Sequence, residues 1–144
     1  MDVTDAAGVQ AAFAAAEAWA GRIDILVNNS GVAPAGPGID LDEADWDRTL
    51  DTNLKGAWLV SRAFARSART AKRSGAIVNV ASILGSRVAG HVAAYAASKA
   101  GLIQLTKARR SNPPASAFGS TRWPRFTSRP ISTERSSRAS PARR

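Results

Sequence analysis

The chain has 144 residues, of which 44% are apolar, and a formal charge of +9. That length suits one domain with a core, and no run of eighteen apolar residues predicts a membrane span. The first five residues carry neither a basic start nor an apolar segment, so we expect no secretion signal. The sequence contains no cysteine, which excludes disulfides and thiolate metal sites and fits a reducing cytoplasm.

The positive charge is concentrated in the last quarter of the chain. Residues 1–108 hold eleven Lys and Arg against ten Asp and Glu, whereas residues 109–144 hold nine Arg and one acid, Glu134. The second segment is rich in Arg, Ser and Pro and shows neither helical nor strand periodicity. We therefore predict a folded domain over 1–108 and a disordered basic tail over 109–144.

Two interpretations of the tail stay open. It could bind nucleic acid or acidic partners by neutralising phosphates, with Trp123 available to stack on bases. Alternatively, the tail has no evolved role and results from a shift of reading frame. When the codons of residues 117–125 are read one base out of register, they can encode Ile-Arg-Val-Asn-Ala-Leu-Ala-Pro, a sequence typical of a strand and loop. We favour a frameshift near Ala108, and we regard nucleic acid as the less favoured partner.

The folded part alternates between helical and strand periods. Apolar spacing predicts a helix over 6–20 that Gly21 ends, a strand over 23–27, and a long helix that begins at Asp40 or Asp42. That helix reaches about residue 73, with a bend near Asn53 or Gly56. A second strand over 75–81, a loop over 82–90 and a helix over 92–107 follow, and we expect the helical tryptophans to pack in the core: Trp19, Trp46 and Trp58.

Helices and strands that alternate in this way predict an α/β protein with a parallel sheet. Near-continuous apolar strands fit a sheet covered by helices on both faces. Two polar clusters, Asn28-Asn29-Ser30-Gly31 and the segment that begins at Ser82, follow directly after the strands. They therefore lie at the carboxyl edge of the sheet, where open α/β folds bind ligands.

The segment Tyr95-Ala96-Ala97-Ser98-Lys99 carries the clearest chemistry. On a helix, positions i and i+4 share a face, so Lys99 should lie beside the ring of Tyr95. A free phenol has a pKa of about 10, and a cation within a few ångströms lowers it by stabilising the phenolate. With the hydroxyl of Ser82 to hold a substrate oxygen, these groups predict an acid/base centre for an alcohol/carbonyl pair.

In this order of motifs the chain resembles the short-chain dehydrogenases/reductases. The resemblance covers about residues 2–107 and rests on five elements: Asp2-Val3-Thr4-Asp5, Asn28-Asn29-Ser30-Gly31, Asn53 within Thr52-Asn53-Leu54-Lys55-Gly56, Ser82, and Tyr95 to Lys99. It implies a Rossmann-like doubly wound parallel sheet, here partial. It also implies hydride transfer between NAD or NADP and a small-molecule alcohol or carbonyl compound.

The resemblance also implies a role for each residue. Tyr95 would donate and accept the proton, Ser82 would orient the substrate oxygen, and Lys99 would lower the pKa of the phenol and bond the nicotinamide ribose. Asn53 would hold the water of a proton relay. The cofactor-binding residues would be Asp2, Asn29, Ser30, Gly31, Tyr95 and Lys99.

Structural roles stay open for several of these residues. Asn28 and Asn29 could simply close a turn, Asn53 could mark a helix bend, and Ser82 could cap a helix or loop. Asp2 could be an ordinary solvated residue near the terminus.

The Gly-rich turn with which this family binds the cofactor pyrophosphate has no counterpart in the sequence. We therefore expect a fragment of the family domain with low or no activity, marginal stability and exposed strand edges. A homo-oligomer, formed through the two long helices, is possible. A non-enzymatic basic polypeptide is the alternative.

Overall fold

The computed structural model describes residues 1–111. In chain order, its elements are helix α1 (Ala6–Ala20), strand β1 (Ile25–Asn28), helix α2 (Glu43–Leu50), a π-helical segment (Asp51–Gly56), helix α3 (Ala57–Thr70), strand β2 (Ala76–Asn79), a 3₁₀ turn (Ile83–Gly85) and helix α4 (Ala93–Ser111). The predicted order of helices and strands is confirmed, although both strands are shorter than predicted. The predicted bend corresponds to the π-helical segment.

Local side-chain chemistry accounts for the helix ends. The carboxylate of Asp5 accepts a hydrogen bond from the N–H of Ala7 at the start of α1, and Gly21 ends that helix with a φ of 81°. Glycine suits this position because a positive φ is strained for other residues. Of the two candidate caps for the second helix, Asp42 is the one observed, since its carboxylate accepts from the N–H of Asp45.

The two strands pair in parallel with Ile25 opposite Ala76 and Asn28 opposite Asn79. Since side chains alternate along a strand, Leu26 and Ile77 share one face. Leu26 packs with Val9 of α1 and Val60 of α3, while Ile77 packs with Phe64 of α3. Both clusters place the core between the sheet and the helices.

Helix α4 lies on this same face. Asn79 shares the face of Ile77, and its Nδ2 donates to Oγ1 of Thr106 on α4 over 2.8 Å. Asn28, on the face of Leu26, donates to Oγ of Ser61 on α3 over 2.8 Å. The expectation of helices on both faces is therefore not met within residues 1–111, where α1, α3 and α4 lie on one face.

The prediction that the three tryptophans pack in the core is wrong. Trp19 is 90% exposed, and Trp46 and Trp58 are also exposed. Trp58 borders an apolar groove of about 600 Å³ between the π-helical segment and α4. Helical spacing places these residues correctly on one face of a helix, but it does not determine what covers that face.

Helix α4 continues to Ser111, so it includes Arg109 and passes the boundary predicted at residue 108. The remainder of the predicted tail lies outside the described residues. Among the helices of residues 1–111, none has the length and hydropathy needed to cross a membrane.

Candidate active site

The π-helical segment brings Asn53 into the interior. The Asn53 side chain is buried, and it makes two hydrogen bonds to the loop after β1: Oδ1 accepts from the N–H of Val32 over 2.8 Å, and Nδ2 donates to the carbonyl of Val32 over 2.9 Å. Such π-type turns are rare and often mark functional sites. Here the two hydrogen bonds hold the loop at the carboxyl end of β1 against the π-helical segment.

Asn53 also reaches α4. Its Nδ2 donates to Oγ of the buried Ser98 over 3.0 Å, and that hydroxyl donates to the carbonyl of Tyr95 over 2.7 Å. The loop, the π-helical segment and the first turns of α4 are thereby joined in one network. Among the side chains of residues 1–109, no buried nitrogen or oxygen lacks a hydrogen bond.

Lys99 lies beside Tyr95, as its spacing on the helix predicts. The Nζ atom is 5.7 Å from the centroid of the Tyr95 ring, and it donates to the carbonyl of Val80 over 2.8 Å. Only 4% of Lys99 is exposed. Burial disfavours the charged amine and lowers the pKa of Lys99 from its ordinary value of 10.5.

Ser82 caps the start of the 3₁₀ turn. Its Oγ accepts from the N–H of Leu84 over 3.2 Å, which is the capping role that the sequence left open. Gly85 closes the same turn against α4, where an ideal Cβ on Gly85 would lie 2.8 Å from the carbonyl carbon of Lys99. This close backbone approach holds the segment of Ser82 against the helix that carries Tyr95 and Lys99.

Gly31 faces both Asn53 and Lys99. An ideal Cβ at Gly31 would lie 3.2 Å from Oδ1 of Asn53 and 3.7 Å from Nζ of Lys99. The glycine thus leaves a small space that an amide and an amine border. Asn29 and Ser30, the two residues before it, are exposed at the same edge of the sheet.

Asn28 has a structural role at the end of β1. Its Nδ2 donates to Oδ1 of Asn79 over 2.7 Å as well as to Oγ of Ser61. The side chain of Asn79 donates in turn to Oγ1 of Thr106. The resulting series of hydrogen bonds joins both strand ends to α3 and α4. Its members are buried or half-buried, and their hydrogen bonds keep the strand ends in register with the helices.

Asp2 contacts its own turn. The carboxylate accepts from the N–H and the hydroxyl of Thr4, both over 2.8 Å. The bond from the backbone of Thr4 is the main cause that lowers the pKa of Asp2, which is fully exposed. The neighbouring Val3 packs against Gly56, so the segment of Asp2 lies against the π-helical segment that carries Asn53.

Of the predicted site residues, the structure brings Gly31, Asn53, Tyr95 and Lys99 together, with Ser82 held nearby through its turn. Asn29, Ser30 and Asp2 are exposed at its margin. Sequence reasoning missed Ser98, which joins Asn53 to Tyr95. A polar residue three positions after Tyr95, on the face that α4 buries, is the signal that could have identified it.

The arrangement supplies a phenol, a buried amine, an amide and a hydroxyl around one edge of the sheet. A phenol beside an amine at a cleft is an arrangement that can exchange a proton with a substrate oxygen. Within residues 1–111, no group of three or more His, Cys, Asp or Glu is placed to bind a metal ion. The phenol, the amine and the hydroxyl are groups that can act in acid/base chemistry.

Comparison with known proteins also indicates a family of oxidoreductases. The family model described as short chain dehydrogenase matches residues 1–113. Over 106 residues, 74% of this chain and 40% of each relative, the chain is 46% identical to D-threitol dehydrogenase of Mycolicibacterium smegmatis. Over the same lengths it is 42% identical to the (5R,7aS)-5-hydroxy-7a-methyl-1-oxo-2,3,5,6,7,7a-hexahydro-1H-indene-carboxyl-CoA reductase of Mycobacterium tuberculosis.

A solved structure shows the same likeness in three dimensions. The gluconate 5-dehydrogenase of Burkholderia cenocepacia J2315, determined with NADP and tartrate, is 35% identical, with a TM-score of 0.73 over 78% of this chain and 44% of that one. The fold is thus the Rossmann-like α/β fold of these oxidoreductases, and the chain spans about 40% of the length of the curated relatives it matches. By its sequence, its fold and the order of its motifs, the chain belongs to the short-chain dehydrogenase family.

Proposed function

We propose that this domain interconverts an alcohol and a ketone or aldehyde with NAD or NADP, and that Tyr95 is its acid/base residue. A reducing compartment such as the cytoplasm suits a chain without cysteines. A homo-oligomer would use the apolar groove between the π-helical segment and α4, because the exposed Trp58 borders it. Family membership supports the class of reaction and leaves the identity of the substrate open.

The proposed roles follow from the geometry of the side chains. In carbonyl reduction, the hydroxyl of Tyr95 gives its proton to the carbonyl oxygen as the carbon gains a hydride; in alcohol oxidation the phenolate takes the proton back. Ser82 donates a hydrogen bond to the same oxygen. Asn53, fixed by Val32 and Ser98, keeps the loop and the π-helical segment in position to hold the water through which Lys99 exchanges protons.

The observation that carries this proposal is the position of Lys99. Its amine is buried, bonded to the carbonyl of Val80 and 5.7 Å from the centre of the Tyr95 ring. Burial of this amine costs stability because burial opposes its charge. Costs of this kind are concentrated at functional sites, which supports a role for Lys99 in the proton transfer of Tyr95.

The cofactor supplies the hydride, and the residues present fit one end of it. The space at Gly31, which a Cβ would fill, is bordered by Lys99 and Asn53, and it suits close approach of a ribose with hydroxyls that those groups can bond. At the other end, Asp2 would face the adenine, and Asn29 and Ser30 would line the cleft between. The sequence has no Gly-rich turn for the pyrophosphate, so we further propose that residues 1–144 alone bind the cofactor weakly and have low or no activity.

Tyr95 is the only tyrosine of the chain, so its ionisation is directly visible. We would titrate the absorbance near 295 nm (a signal of phenolate) in the wild-type chain and in Lys99→Met, with circular dichroism at each pH to confirm that the chain stays folded. If Lys99 stabilises the phenolate as proposed, its removal should raise the midpoint of the phenol ionisation.

Lys55→Met is the matched control, because it removes the same charge from an exposed side chain that pairs with Asp51 over 3.1 Å. It should leave the midpoint unchanged. Equal midpoints in the wild-type chain and Lys99→Met would contradict the proposed role of Lys99. In a version restored to the length of its relatives, Tyr95→Phe should abolish carbonyl reduction while substrate still binds, and a retained rate would exclude Tyr95 as the acid.

A further inference from the structure

The segment between the 3₁₀ turn and α4 lies along the face of α4 that carries Tyr95 and Lys99. One end of the segment is fixed by Gly85, where an ideal Cβ would lie 2.8 Å from the carbonyl carbon of Lys99 and 2.7 Å from Cδ1 of Ile103. The other end is the start of α4, about 12 Å back along the helix axis. Because helix positions four residues apart share one face, residues 86–92 pass beside Tyr95 as the chain returns to that start.

His91 joins this segment to the loop after β1. Its carbonyl accepts a hydrogen bond from the N–H of Gly36 over 2.9 Å, and an ideal Cβ at Gly38 would lie 3.3 Å from Cβ of Ala93. The loop after β1 also contains Gly31 of the candidate site. The two loops at the carboxyl edge of the sheet therefore meet at His91, next to that site.

The backbone of His91 adopts a φ of 63°, in the left-handed region. Glycine takes this conformation without strain, whereas a residue with a Cβ does so at a cost. Backbone strain of this kind persists only where the surrounding structure enforces it, and it is concentrated at active sites and ligand-binding segments. The chain thus carries its only imidazole beside the candidate site, at a position where glycine would be unstrained.

Arg87 lies in the same segment, one turn after Ser82. Its N–H donates to the carbonyl of Ile83 over 2.8 Å, so the 3₁₀ turn fixes the backbone of Arg87 relative to the hydroxyl of Ser82. Arg87 is exposed, and it forms no ion pair with any residue of 1–109. Its guanidinium is therefore available to a ligand.

Neither loop supplies an acidic side chain. The sequence contains no Asp or Glu in residues 52–133, and none in residues 29–39 of the loop after β1. A cleft bordered by cations without carboxylates attracts anions. A guanidinium binds a carboxylate or a phosphate through two parallel hydrogen bonds, and an imidazole N–H can donate a third.

We propose that Arg87 and His91 bind an anionic group of the substrate, a carboxylate or a phosphate. The alcohol or carbonyl carbon of the same molecule then lies at Ser82 and Tyr95. The substrate class is that of hydroxy and keto compounds that carry an acid group. The reacting carbon comes from the proposed function, on which this inference rests, whereas binding of the anion can be measured without any reaction.

The test uses the 144-residue chain and three probes that share one carbon skeleton: glycerate, glycerol 1-phosphate and uncharged glycerol. His91 is the only histidine, so its ring resonances are identified directly by NMR. At constant pH and ionic strength, at least one of the two anions should shift these resonances at concentrations at least about fivefold lower than glycerol does. The anion that binds more tightly assigns the group as a carboxylate or a phosphate.

Arg87→Gln should weaken binding of that anion at least about threefold and leave the response to glycerol unchanged, because it removes one exposed ion pair with the ligand. Arg66→Gln is the matched control, since it removes the same charge from an exposed arginine of α3 that also forms no ion pair within residues 1–109. It should bind the anion as the wild-type chain does. Circular dichroism checks that both variants are folded.

ADP-ribose, which carries the phosphates of the cofactor, separates the substrate from the cofactor. Its effect on the chain should be the same in the wild type and in Arg87→Gln. If Arg87→Gln weakens ADP-ribose as much as it weakens the anion, the two cations belong to the cofactor site and the proposal is overturned. Equal concentrations for the anions and glycerol, or an equal effect of the two variants, would also overturn it.

The proposed acid/base chemistry is decided separately, by the phenol midpoints of the wild-type chain and Lys99→Met. Unequal midpoints together with no binding of either anion would refute only the anion site. Equal midpoints together with anion binding that depends on Arg87 would support the anion site and refute only the role of Lys99.

Discussion

The closest backbone approach at the candidate site is that of Gly85 to α4, and Gly85→Ala tests it. An ideal Cβ there would lie 2.7 Å from Cδ1 of Ile103, 2.8 Å from the carbonyl carbon of Lys99 and 2.9 Å from the carbonyl oxygen of Lys99. Non-bonded carbon atoms prefer a separation of about 3.5–4.0 Å, so the added methyl group overlaps by more than about half an ångström. The methyl of Ile103 can rotate away, but the backbone of Lys99 cannot move without the helix.

This overlap should lower the free energy of unfolding by about 1–3 kcal/mol, the range found for overpacked sites. We place it in the upper half of that range because two of the three contacts are backbone atoms. Urea unfolding followed by circular dichroism measures the change.

Gly90→Ala is the control, because an ideal Cβ at Gly90 meets no atom within 4 Å. It should leave stability unchanged or raise it by about 0.4–1 kcal/mol, since alanine restricts the unfolded chain. If the two variants unfold at the same urea concentration, the 3₁₀ turn is not held rigidly against α4. The positioning of Ser82 relative to Lys99 would then need another explanation.

Two further predictions concern buried polar groups. Asn53→Ala should lower the free energy of unfolding by about 1–3 kcal/mol, because it leaves the N–H and C=O of Val32 without partners. The exposed Asn29→Ala should change it by less than about 0.5 kcal/mol in the same urea assay, and equal losses would contradict the anchoring role of Asn53. For Lys99, burial lowers the pKa of the native chain below 10.5, so the unfolded chain binds the proton more readily. The free energy of unfolding should therefore rise as the pH increases through the interval between the native pKa and 10.5. Lys99→Met should lack this increase in urea titrations from about pH 7 to 10.5, and an identical pH dependence in both chains would refute it.

Sequence patterns predicted those parts of the fold that depend on local chemistry. The bounds of α1 follow from Asp5 and Gly21, and the start of α2 follows from Asp42, because caps act within one turn. The pairing of Tyr95 with Lys99 was predictable for the same reason. Local rules of this kind need no knowledge of the neighbouring elements.

What the sequence did not predict depends on contacts between distant segments. Trp19 and Trp58 occupy helical positions suited to a core, yet both side chains are exposed. Ser98 became a site residue only because the π-helical segment turns Asn53 towards α4, 45 residues further along the chain. Asn28 resembles a turn residue in sequence, but in the fold it bonds to Ser61 and Asn79.

The candidate site is held by side chains on the helix-covered face of the sheet and by loops at its carboxyl edge, through bonds such as Asn53 to Val32 and Lys99 to the carbonyl of Val80. These hydrogen bonds all join residues within 1–111. The arrangement of Tyr95, Lys99 and Asn53 therefore depends on contacts that the chain makes with itself, and the phenol titration should be readable in the chain alone.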